Sequence, residues 1–187
     1  MIILISGTSR SGKSLYAENR LEKFASSHKI YVAVSKIVDD EMRRRVQIHK
    51  ERRRQKNFIT LEKNSELSFL SFPKNSSVLI ESLTVWAANE MFRDDGIKNS
   101  EEVCEKIYRD FLALKKRSEN IIIVSDDVFS DGIIYDYLTE EYLRTLASLT
   151  KKIAVLADEV IECISGLCIH YKINYNYQKI SDGEKVT

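Results

Sequence analysis

Eight residues near the amino terminus, Gly7-Thr8-Ser9-Arg10-Ser11-Gly12-Lys13-Ser14, have the types and spacing to hold a triphosphate. They satisfy G-x-x-x-x-G-K-[ST] in full. Two glycines let the backbone curl until successive N–H groups face one anion-sized hollow, and the dipole of a following helix adds positive potential there. Lys13 can then reach the β- and γ-phosphates, and the Ser14 hydroxyl can ligate Mg²⁺. The motif predicts binding of a nucleoside triphosphate such as ATP or GTP, with Mg²⁺.

A second chemical group is Asp39-Asp40-Glu41-Met42-Arg43-Arg44-Arg45-Val46-Gln47-Ile48-His49-Lys50-Glu51-Arg52-Arg53-Arg54. Acids in the first turn and bases after it suit a helix dipole. At helical spacing Met42, Val46, His49 and Arg53 share one face, which sets His49 beside apolar residues and within reach of arginines. Nearby positive charge would keep the imidazole neutral, with a ring nitrogen free to attack phosphorus. The same residues also describe a solvated basic helix with one inward histidine, and charge runs are commonly solvated faces. The pattern alone leaves both readings standing.

These groups need elements to position them. Ile2-Ile3-Leu4-Ile5 reads as a buried strand before the glycine loop, and 15–24 has helical spacing after it. Further strands are expected at 29–34, 58–61, 78–80, 121–124, 160–164 and 167–171. Helices are expected at 39–55, through Trp86 to Phe92, at 100–117 and at 138–157, with one or two helical turns within 65–72. The 100–117 helix carries Val103, Ile107, Phe111 and Leu114 on one stripe, and Asp94-Asp95-Gly96 is a break before it. Continuous apolar strands separated by helices predict an α/β fold, a mostly parallel sheet with helices on both faces. In such sheets ligands bind at the carboxyl ends of the strands, where the glycine loop lies. Residues 1–172 are expected to form one nucleotide-binding catalytic domain and 173–187 a polar carboxy-terminal tail.

Composition narrows the class further. The 187 residues carry 29 Lys and Arg against 28 Asp and Glu, so no general affinity for nucleic acid or membrane is implied. No apolar run has the length of a membrane span. Cys104, Cys163 and Cys168 are odd in number and lack CxxC spacing, which fits reduced thiols packed in a cytoplasmic protein.

Taken in order along the chain, the glycine loop, Ala33-Val34-Ser35, Asp39-Asp40-Glu41-Met42 leading to Arg45-Val46 and His49, and Thr60-Leu61-Glu62 form a recurring set. Val78-Leu79-Ile80-Glu81-Ser82-Leu83-Thr84-Val85-Trp86 with Asn89, Ala157-Asp158-Glu159-Val160 and Ser165-Gly166-Leu167 extend it. Together they resemble the bifunctional adenosylcobinamide kinase and adenosylcobinamide-phosphate guanylyltransferase family of cobalamin assembly, over nearly the whole chain to about Lys172.

That resemblance implies a P-loop NTPase fold and two reactions. A nucleoside triphosphate phosphorylates adenosylcobinamide; GTP then gives GMP to a histidine, which passes it to the cobinamide phosphate. By the resemblance the guanylylated residue is His49, with Lys13 stabilising transferred phosphoryl charge. Nucleotide contacts fall on Gly7, Thr8, Ser9, Arg10, Ser11, Gly12, Lys13 and Ser14, on Ala33, Val34 and Ser35, on Lys50, Glu51, Arg52 and Arg53, and on Glu62 and Glu81. Glu81, at the end of a buried strand, can join Ser14 in holding Mg²⁺ or can be a strand-end carboxylate with no metal role; Glu62 can accept from a guanine edge or be a surface acid. The family likeness also implies a homo-oligomer, a trimer.

The chain departs from the family's pattern in its second half. Asp126-Asp127-Val128-Phe129 stands where Asn-Glu-Val-Gly is usual, and Asp131-Gly132-Ile133-Ile134-Tyr135 replaces further glycines and a proline. Ala147-Ser148-Leu149-Thr150-Lys151 replaces Gly-Arg-x-Asn-Gln, and Arg54 a proline. These changes motivate a second reading, a divergent nucleotide-binding regulatory module without corrinoid activity.

Overall fold

A computed structural model of the chain describes residues 1–35, 47, 51, 56–129 and 132–173. Its strands are β1 (Ile2–Gly7), β2 (His28–Ala33), β3 (Ile59–Glu62), β4 (Ser76–Glu81), β5 (Phe92–Arg93), β6 (Gly96–Ile97), β7 (Asn120–Asp126), β8 (Glu159–Ile164) and β9 (Leu167–Lys172). The described helices are α1 (Lys13–Glu22), α2 (Leu83–Met91), α3 (Ser100–Lys116) and α4 (Tyr137–Leu156). Seven strands form one sheet in the order β3-β2-β4-β7-β1-β8-β9. All neighbours in it are parallel except β8 and β9, which form an antiparallel hairpin at the edge.

Alternation along the central strands builds two cores, because successive side chains of a strand face opposite ways. Ile3, Ile5, Tyr31, Leu79, Ile122, Val124, Ile161 and Cys163 point to the face covered by Ala17 and Leu21 of α1. Ile2, Leu4, Ile30, Val32, Val78, Ile80, Ile121 and Ile123 point to the other face, where α2, α3 and α4 supply Trp86, Ile107, Phe111, Leu114, Leu149 and Ile153. Burying each Val, Leu, Ile or Phe among them contributes about 1.5–3 kcal/mol, and the two layers hold the strand ends in fixed positions. Asn99 and Asp136 cap α3 and α4 by accepting from the amides of residues two and three positions on, and Ser82 accepts from Val85 N at the start of α2.

Local details refine the sequence expectations. The first helix starts at Lys13 rather than Leu15, directly from a left-handed Gly12 (φ 94°). The stretch 65–72 keeps one 3₁₀ turn, Leu67–Phe69, because Glu66 before it is left-handed and Leu70 after it extended. The break at Asp94-Asp95-Gly96 turns a two-residue antiparallel ladder, Phe92 with Ile97 and Arg93 with Gly96. Of the basic helix expected over 39–55, only Gln47 and Glu51 are described, both helical and exposed. The tail beyond 173 lies outside the described residues.

Candidate active site at the carboxyl edge of the sheet

Five strands end on residues that belong to one neighbourhood: Gly7 on β1, Ala33 on β2, Glu62 on β3, Glu81 on β4 and Asp126 on β7. Parallel pairing makes this a single edge, with Gly7 opposite both Asp126 and Cys163, Ala33 opposite Glu62, and Ala33 opposite Glu81.

The glycine loop bridges β1 and α1 on that edge. Ser11 N donates to Thr8 O at 3.3 Å, Arg10 and Gly12 take positive φ (60° and 94°), and Tyr16 N donates to Gly12 O to open the helix. A Cβ on Gly7 would stand 2.4 Å from the Cys163 carbonyl oxygen, so only glycine lets the strand end approach β8 this closely. Lys13 leaves the first turn of α1 and reaches back across the loop, donating to Thr8 O at 2.9 Å and pairing with Asp126 Oδ1 at 2.8 Å. Its side chain is largely buried, so the charge is held at the loop rather than in bulk water.

One residue on, Ser14 Oγ donates to Glu81 Oε1, and Tyr31 Oη donates to Glu81 Oε2 at 2.6 Å. A hydroxyl and a carboxylate thus meet beside the phosphate hollow, the hard oxygen set that Mg²⁺ takes together with phosphate oxygens. Among the described residues no three His, Cys, Asp or Glu converge to hold a metal by themselves.

Ala33, Val34 and Ser35 continue from β2 past this edge. Val34 N donates to Glu81 O at 3.2 Å, and Lys63 N donates to Ala33 O at 3.0 Å. Asn89 of α2 fixes the segment by donating to Val34 O at 2.7 Å and to Asn64 O at 2.9 Å. Glu62 is exposed at the end of β3. Glu51 is exposed, while His49, Lys50, Arg52 and Arg53 lie outside the described residues.

Three features escape a reading of the sequence. Asp126 pairs with Lys13 across 113 positions of chain, which no local pattern signals. Tyr31 alternates as a core residue, and its hydroxyl reaches Glu81 only once β2 and β4 pair. Asn89 carries a signal as part of the recurring set, but its role as a clamp on Val34 needs α2 in place. Past β7, the backbone of Asp127 donates to Gly7 O at 3.0 Å, Asp126 N donates to Thr84 Oγ1 at 2.8 Å, and the Phe129 ring turns outward, exposed.

A parallel sheet with a glycine loop, an inward lysine and a serine–carboxylate pair at its carboxyl edge defines a P-loop nucleotide-binding protein. A solved ATPase domain has this fold in common, at a TM-score of 0.54 and 14% identity over 93% of this chain and 77% of that chain. Residues 3–171 match the family described as cobinamide kinase / cobinamide phosphate guanyltransferase, and the chain belongs to this family of transferases. It is 29% identical over 185 residues to the bifunctional adenosylcobalamin biosynthesis protein CobU of Escherichia coli (strain K12), covering 92% of this chain and 100% of that protein. The protein of the same name from Salmonella typhimurium (strain LT2) is 28% identical over the same shares.

Proposed function

We propose that this chain carries out both transfers of its family: phosphorylation of adenosylcobinamide, and guanylyl transfer to the resulting phosphate through a GMP–histidine intermediate on His49. The observation that supports it most is the meeting of Lys13, Ser14 and Glu81 at one strand edge, a lysine and an oxygen pair side by side at the glycine loop. Loop amides and Lys13 hold and neutralise the β- and γ-phosphates in both reactions. Ser14 and Glu81 would hold Mg²⁺, which supplies further positive charge to the phosphate oxygens when bound. In the second reaction a His49 ring nitrogen bonds to the α-phosphorus as the bond to the bridging oxygen breaks and pyrophosphate leaves. The acceptor phosphate oxygen then displaces the imidazole.

The corrinoid is a broad acceptor, and the segment after β7 offers it apolar side chains. Phe129, Ile133, Ile134, Tyr137 and Leu138 are all exposed there. Both flanks of that segment are tied to Thr84, through Asp126 N and through Tyr142 Oη, which donates to Thr84 O at 3.0 Å. Incubation with GTP labelled at the α-phosphate is expected to leave acid-labile label on His49. A protein that binds GTP but takes no label would remove the transferase half, and failure to turn over cobinamide would favour the regulatory reading.

A further inference from the structure

The β8–β9 hairpin carries a pair of thiols that nucleotide transfer does not use. Ser165 (φ 49°) and Gly166 (φ 87°) form a two-residue turn with both central residues left-handed, the type I′ geometry of tight hairpins. Ile164 and Leu167 flank it as the closing pair. In an antiparallel ladder hydrogen-bonded and non-hydrogen-bonded pairs alternate, so the next pair, Cys163 with Cys168, falls at a non-hydrogen-bonded position, where side chains approach closest. The sulfurs are in contact at 2.7 Å.

This pair sits at the back of the phosphate loop. The Cys163 carbonyl packs on Gly7, Gly166 N donates to Ser11 O at 2.9 Å, and Gly166 Cα lies 3.5 Å from where a Gly12 Cβ would stand. The hairpin and the loop are therefore joined backbone to backbone, at Gly7 through the β1–β8 pairing and at Ser11 through the Gly166 amide.

We propose that Cys163 and Cys168 are a reversible disulfide site whose closure staples the β8–β9 turn and changes the grip of the phosphate loop. With hydrogen peroxide as oxidant, the sulfur of Cys168, the more accessible of the two, attacks a peroxide oxygen; the O–O bond breaks, water leaves and a sulfenic acid remains. Cys163 sulfur then attacks that sulfur, forming the S–S bond as the S–O bond breaks and a second water leaves. Two thiols and one peroxide give one disulfide and two waters. Burial first, and the neighbouring Cys168 second, push the Cys163 thiol up to about 12, which disfavours its thiolate and leaves the first attack on peroxide to Cys168. Cys104 lies apart, buried among α3 residues with no thiol beside it among the described residues, and takes no part.

The test treats the reduced full chain with hydrogen peroxide, alkylates the remaining thiols and maps them by mass. Expected are a loss of about 2 Da in the peptide holding both cysteines, an alkylated Cys104, reversal by dithiothreitol, and no such product in Cys163→Ser or Cys168→Ser. Alkylation of both thiols after peroxide, or their separate oxidation to sulfinic acids, overturns the site. Mg·GTP binding is then compared between oxidised and reduced protein, with a change in Kd of about threefold or more expected; equal affinities overturn the coupling. The coupling rests on nucleotide binding at this loop, and the mass measurement does not. Reduced protein that takes up no GTP would therefore sink the nucleotide reading while leaving the disulfide to be judged separately.

Discussion

The Lys13 ammonium and the Asp126 carboxylate form an ion pair of 2.8 Å across the mouth of the phosphate loop. In the proposed function the lysine serves a triphosphate, and there Asp126 would compete with the triphosphate for the same charge. Asp126 is about one-third exposed, so the competition is worth little more than the ~1 kcal/mol of a partly solvated pair.

Asp126→Asn removes this competitor and places the family's usual residue there. The isosteric amide can still accept a hydrogen bond from Lys13 while no longer repelling phosphate. Mg·GTP and Mg·ATP are expected to bind about three- to tenfold more tightly, measured by calorimetry at fixed salt. Unchanged or weaker binding would mean that Asp126 serves the bound nucleotide instead.

Lys13→Ala separates chemistry from folding. The side chain contributes one bond to Thr8 O within the loop and one ion pair to Asp126, a partly exposed carboxylate at the end of β7 and outside the apolar core. Phosphoryl and guanylyl transfer are expected to fall by about 10²–10³-fold or more, the cost of losing a preorganised charge at developing phosphate anions. Stability should move by about 1 kcal/mol or less in urea unfolding. Retained turnover would contradict the role given to the lysine.

What the sequence makes legible follows the range of the forces involved. Ile2-Ile3-Leu4-Ile5, Val78-Leu79-Ile80 and Ile121-Ile122-Ile123-Val124 are apolar on both faces, which marks central parallel strands, and all three are buried as β1, β4 and β7. The α3 stripe of Val103, Ile107, Phe111 and Leu114 is likewise buried as its spacing requires. Local chemistry without burial reads less well: the start of α1 hides in loop residues with no apolar period, and β5 and β6 are too short to alternate. Tertiary pairings are not legible at all. Gly7, Glu81 and Asp126 are far apart in sequence and meet because sheet order puts their strand ends side by side. Cys163 and Cys168 are within reach of a reading, since a two-residue turn pairs positions five apart; in the sequence, though, Ser165-Gly166 stands out only as part of a recurring set.

Tyr142 should give the protein an alkaline limb of instability. Burial, with the negative charge of Asp126 adding to it, pushes its phenol up to about 12, while in the unfolded chain it titrates near ~10. Below pH ~10 both states keep the proton and the contribution is constant. As pH rises from ~10 to about 12 the unfolded state loses its proton first, so stability falls through that window. Urea unfolding of wild type against Tyr142→Phe should show the wild type losing ground to the variant only above pH ~10. Parallel curves throughout would refute the assignment, and Asp126→Asn should bring the Tyr142 titration down.

Gly7→Ala tests how closely the loop is built on its neighbours. The added methyl would stand 2.4 Å from the Cys163 carbonyl oxygen and 2.6 Å from Ser11 Oγ. The serine can rotate, but the carbonyl belongs to the β8 backbone and is held by the sheet. Relief requires β1 and β8 to part or the loop to shift, at the ~1–3 kcal/mol typical of an overpacked site, and either movement disturbs the amides of the glycine loop. Gly132→Ala is the matched comparison, since its methyl meets nothing within 4 Å and carries only the backbone strain of φ +69°, about 1 kcal/mol. The expected pattern is a larger loss of stability in Gly7→Ala, with nucleotide affinity lost in that variant alone. If Gly7→Ala binds Mg·GTP as the parent does, the close packing of loop against hairpin is not what shapes the phosphate site.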